Sequence, residues 1–145
     1  MIHSPLQERV KALEDTIGPR HISKEERETM WAALGGGPGK IRIASVSPDD
    51  EAAAYANEIA EFLQARGWDV WGPDFPADLS FRTETPTIGL ILNAPWDQPV
   101  VAYEGAQRLA SALAEAKIFF RYYVSFNIHK GSCELVVGYR GTPPY

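Results

Sequence analysis

His129 and Cys133 lie four residues apart, and Gly39-Lys40 closes a run of four glycines and a proline, GGGPGK, at 35–40. These are the two places where residue type and spacing suggest chemistry. A cysteine nucleophile needs a base at hydrogen-bond distance and a third group to orient that base. Nothing near Cys133 supplies the third group, so it reads as a small strand residue. His3, His21 and His129 share no zinc-ligand spacing with each other or with Cys133. A phosphate loop ends G-K-[ST] and starts with glycine five residues before the second glycine. Here those positions hold Ile41 and Leu34. Such loops also follow a strand and open a helix, whereas GGGPGK follows a helical pattern and opens an apolar one. It reads as a joint. No metal or cofactor is expected.

Two other loops are better placed for a small ligand. SVSPDD (45–50) and NAPWDQ (93–98) each follow an apolar strand and lead into a helix. Free amides and the helix dipole favour anions there. If the two strands are parallel neighbours, Ser45, Ser47, Asn93, Trp96 and Asp97 line one site. The competing reading is that Ser47, Asp49, Asp50 and Asp97 cap those helices themselves.

The elements that must position these residues follow from periodicity. LQERVKALEDTI carries Leu6, Val10, Leu13 and Ile17 at coiled-coil spacing for about two heptads. It is an oligomerisation stub or a short helix packed on its own domain. Gly18-Pro19 ends it. SKEE, with Ser23 and Glu26, is a capping box for a helix to Leu34, with Gly35 as its C-cap glycine. A strand is expected at 41–46, then a helix from the Ser47 N-cap to Arg66, with Tyr55, Ile59, Phe62 and Leu63 on its apolar face. Further strands are expected at 68–71, 86–93, 117–124 and 133–138, and a helix at 98–116. Residues 72–86 hold three prolines and read as a loop. The organisation is an N-terminal helical segment, 1–37, and an α/β domain, 38–145.

Two βαβ units and a last strand, without a crossover helix between the units, predict a split-βαβ, ferredoxin-like sandwich with a mixed sheet. The final strand would form an edge hairpin with 117–124. The alternative is a flavodoxin-like three-layer fold.

The chain has 145 residues, 45% hydrophobic and 23% charged, which suits one folded domain. The net charge of -5 argues against nucleic acid as a partner. One cysteine excludes an internal disulfide. No apolar run is long enough to cross a membrane, and MIHSPLQERV has no apolar signal core, so a cytoplasmic or envelope-associated soluble domain is expected. Trp68, Trp71, Trp96 and Phe75 gather around two loops, and FFRYYVSF carries aromatics on both faces. A strand apolar on both sides is either covered twice or part of an interface. A homo-oligomer through the N-terminal helices or this aromatic strand, as a sheet edge, is expected, with a protein partner as the other reading.

RHISKEERETMWAAL, KIRIASVSPDDEAAAYANEIAEFLQARGWDV and ELVVGYRG resemble an uncharacterised soluble domain that follows a coiled coil in bacterial membrane-anchored proteins. The same pattern is similar to the LytR C-terminal type of α/β domain. That type carries an Asn-Gly turn after its first strand, where SVSPDD stands here. The resemblance implies a non-enzymatic interaction or ligand-sensing module with an envelope-associated accessory role. IASVSPDDEAAAYANEIAEFLQARGWDVWGPD is also similar to the opening of nucleoside deoxyribosyltransferases. That second resemblance implies a nucleoside- or sugar-processing enzyme, with Asp97 and Glu104 at the matching acidic positions.

Overall fold

The computed structural model describes residues 19–35, 39–46, 49–74, 88–95, 104–125 and 131–140. They form three helices and one five-stranded mixed sheet. In chain order these are α1 (Lys24–Ala33), β1 (Lys40–Ser45), α2 (Asp50–Ala65), β2 (Asp69–Asp74), β3 (Leu90–Pro95), α3 (Glu104–Glu115), β4 (Phe120–Ser125) and β5 (Cys133–Val137). The heptad segment 6–17 lies outside the described residues.

Helix α1 begins as the sequence predicts. Ser23 accepts from the Glu26 amide, and the Glu26 carboxylate accepts from the Ser23 amide at 2.8 Å. Its C-cap is Leu34, not Gly35; the Gly35 amide turns back to the Ala32 carbonyl at 3.2 Å. Helix α2 is capped by Asp49 rather than Ser47: the Asp49 carboxylate accepts from the Glu51 amide. Both crossover helices end in the same turn. After α2, Gly67 donates to Gln64 and Trp68 donates to Leu63; after α3, Lys117 donates to Ala114 and Ile118 to Leu113. This paired arrangement satisfies the last helix carbonyls and sends the chain back to the sheet.

The strand order is β2-β1-β5-β3-β4. Within each βαβ unit the strands are adjacent and parallel, β1 with β2 and β3 with β4. Strand β5 lies between the units, parallel to β1 and antiparallel to β3. This order differs from the split-βαβ sandwich and from the flavodoxin-like alternative. Strands β1 and β3 are not neighbours, and the last strand is central, not an edge hairpin with β4. The physical reason is burial: CELVV has Cys133, Leu135, Val136 and Val137 all buried, which only an interior strand provides.

The two units run in opposite directions and diverge from β5. Right-handed crossovers then put both connecting helices on one face of the sheet. The core agrees. Ile41, Ile43, Leu90, Leu92, Leu135 and Val137 join Tyr55, Ile59, Leu63, Leu109 and Leu113 in one cluster. Helix α1 adds Ile22, Met30 and Leu34 to it. Burying each such side chain contributes about 1.5–3 kcal/mol. On the other face, Ala44, Ile91 and Val136 are also buried, although no described helix packs there.

Candidate functional site

The strand order decides the fate of the ligand site expected from the sequence. Ser45 pairs with Val137 across β1 and β5, and Val137 pairs with Leu90, the first residue of β3. Asn93 pairs with Glu134, which pairs with Arg42 near the start of β1. The carboxyl ends of β1 and β3 therefore point to opposite ends of the sheet. Ser45 and Asn93 therefore do not lie side by side. Ser45 and Asn93 are both buried. Ser47, Trp96 and Asp97 lie outside the described residues, as do His3, His129 and Phe75.

Asn93 instead belongs to a row that crosses all five strands. Trp71, Arg42, Glu134, Asn93 and Tyr123 are successive register partners. They point away from the helices, by the alternation of each strand. Glu134 faces Arg42 at 3.6 Å and accepts from the Asn93 amide group at 3.3 Å. The carboxylate is thus neutralised and fixed, which suits specifying register better than general base chemistry. Sequence periodicity held the signal: Arg42 and Glu134 interrupt apolar strands at the same parity. An edge position for β5 hides that signal, because Arg42, Glu134 and Asn93 then share no row.

Cys133 also takes a structural role. Its thiol is buried, its sulfur approaches the Lys40 carbonyl at 3.8 Å, and burial pushes its pKa up to about 12. Such a thiol is a poor nucleophile. Glu104 lies in the first turn of α3, exposed, 3.7 Å from Arg108. Among the described residues, no group of three or more His, Cys, Asp and Glu side chains is placed to hold a metal.

Among the described residues, two apolar surfaces stand out. The first is a groove of about 480 Å³ between α1 and α2, lined by Arg27, Trp31, Glu61, Phe62 and Ala65 among others. Its aromatic walls are already engaged. Arg27 lies over Phe62 at 5.8 Å, Arg66 lies over Trp31 at 4.9 Å, and the two rings meet edge to face at 5.9 Å.

The second is the outer side of β4. Phe119 is 81% exposed, Tyr123 47% and Val124 51%, with Tyr122 at 37%. Tyr122 and Val124 lie on the helix side and Tyr123 on the other, so this edge strand exposes apolar surface on both faces, and Phe119 stands just before it. The opposite edge is built differently. Strand β2 reads DVWGPD. Pro73 supplies no amide hydrogen, Gly72 has φ +92, and the β1–β2 register slips by one residue between Arg42 and Ala44. Proline, a bulge and acidic residues are the devices that keep an edge strand from pairing. Strand β4 has none of them; its one charge, Arg121, reaches back to the Ile88 carbonyl at 2.9 Å. The aromatic character of this strand is legible in FFRYYVSF, and it stands at a sheet edge as expected, with β3 as its neighbour in place of the final strand.

No family model, curated protein or solved structure matches the chain. Among the described residues, no helix is long and apolar enough to cross a membrane.

Proposed function

We propose that this chain is a non-enzymatic interaction domain that recognises an extended strand through the open edge of β4. The observation that carries this reading is the asymmetry of the sheet. One edge strand, β2, holds a proline, a bulge and two acids, while β4 presents Tyr122, Tyr123 and Val124 to solvent, with Phe119 exposed just before it. Strand addition to such an edge draws affinity from main-chain hydrogen bonds and specificity from alternate side chains. The resemblance to soluble domains of coiled-coil, membrane-anchored bacterial proteins supports an accessory role at the envelope.

A fluorescent peptide spanning Phe119–Ser125, flanked by lysines for solubility, tests the reading. Saturable binding is expected, with loss of binding when proline replaces the central tyrosine of the peptide. Equal binding of the proline and unmodified peptides, or no binding by either, would reject strand recognition at this edge.

A further inference from the structure

The strand that β4 recognises need not come from another protein. We propose that it is β4 of a second copy, paired antiparallel about a two-fold axis at Tyr122, so that two sheets join into one of ten strands. This rests on the reading of β4 as an open edge.

Three observations carry it. First, a two-fold axis perpendicular to the sheet keeps the helices of both copies on one face. Residues opposite each other then share a face, which restricts the axis to a residue position. With the axis at Tyr122, Phe120 faces Val124 of the second copy on the helix side, and Arg121 faces its Tyr123 on the other. Aromatic–aliphatic and cation–π pairs result, and no like charges meet. An axis one residue earlier would place Arg121 against its own copy.

Second, three of the side chains that would form these pairs are exposed, Tyr122 and Val124 on one face and Tyr123 on the other, while Phe120 is half-buried against the core beside them. Third, β2 is blocked by Pro73 and its bulge. Among the described residues, each copy thus offers a single pairing edge. Edge-to-edge growth stops at two copies, and an isologous dimer forms instead of a fibre.

Sedimentation of the full chain is the test. The expected species is twice the 16.0 kDa chain mass. Tyr122→Asp places two like charges across the axis. It should weaken association at least about tenfold, the equivalent of 1.4 kcal/mol, with an unchanged circular dichroism spectrum. Trp31→Lys, on the other apolar surface, should leave the dimer intact. Tyr122→Cys should form an interchain disulfide under mild oxidation faster than Tyr123→Cys.

A wild-type chain that stays monomeric at every attainable concentration overturns the proposal. So does a dimer that Trp31→Lys abolishes and Tyr122→Asp does not. Faster crosslinking at position 123 overturns the placement of the axis. Peptide capture by a monomeric chain would leave strand recognition standing while removing the dimer, so the two failures are distinguishable.

Discussion

Gly67 and Lys117 occupy the same position in the two crossover units. Each stands two residues past the end of its helix, each has positive φ (+92° and 60°), and each donates to a carbonyl three residues back. An L-residue in this conformation costs roughly 1–2 kcal/mol that glycine avoids. The first unit uses glycine and the second does not.

Lys117→Gly should therefore stabilise the fold by about 0.5–1 kcal/mol, and Gly67→Ala should destabilise it by about as much. A Cβ at Gly67 meets nothing within 4 Å, so its cost is purely one of backbone conformation. Denaturant midpoints at constant m-value measure both.

Arg20 and Glu51 fasten the segment before α1 to the start of α2. The guanidinium donates to both carboxylate oxygens at 2.6 and 2.9 Å, to the Gly138 carbonyl at 2.6 Å, and lies 5.0 Å over the Tyr55 ring. The Arg20 amide adds a bond to the same carboxylate at 2.8 Å. Burial alone would push the Glu51 carboxyl up. The hydrogen bonds and charge of Arg20 outweigh it and hold the group below its ordinary 4.5. A lowered folded pKa contributes stability above the unfolded value and loses it as pH falls through the folded one. Stability should thus decline below about pH 4.5, and Glu51→Gln should flatten that acid limb. At neutral pH the same substitution should cost about 1–3 kcal/mol. Arg20→Lys should not restore the lost contacts, because an ammonium cannot reproduce the two-pronged geometry. Chemical denaturation across pH tests all three.

Gly39 lets Trp68 sit against the start of β1. A Cβ there would lie 2.6–2.9 Å from three atoms of the indole ring, which is itself buried. A rigid ring in the core cannot yield that distance without moving its neighbours. Gly39→Ala should cost about 1–3 kcal/mol and shift tryptophan emission. An unchanged midpoint and spectrum would contradict this packing.

The Cys133 thiol, with a folded pKa of about 12 against an ordinary 9.0, should resist aromatic disulfide reagents in the native state and react once denaturant opens the core. Its folded pKa is raised, so stability should fall as pH rises beyond 9.0, where the unfolded thiol ionises. Cys133→Ser should remove that alkaline loss. Reaction of the native chain at the unfolded rate would refute its burial.

Local structure was written locally. The Ser23–Glu26 capping box, the Gly67 turn and the apolar stripe of Tyr55, Ile59, Phe62 and Leu63 depend on residues within a few positions of one another, and the structure shows each of them. Likewise Ile41, Ile43, Leu92 and Leu135 announce their burial by alternation and hydrophobicity. Pairing between strands is another matter. Backbone hydrogen bonds carry no record of partner, so β5 competes equally for an edge or a central place until burial on both faces is counted across the whole sheet. That one placement sends the ends of β1 and β3 apart, unites Arg42, Glu134 and Asn93, and leaves β4 with one side open. Local pattern alone marks α1 to α3, the five strands and the buried positions of the core. Which surfaces meet, and which neighbour each strand takes, is settled by the fold as a whole, because both depend on contacts between residues far apart in the chain.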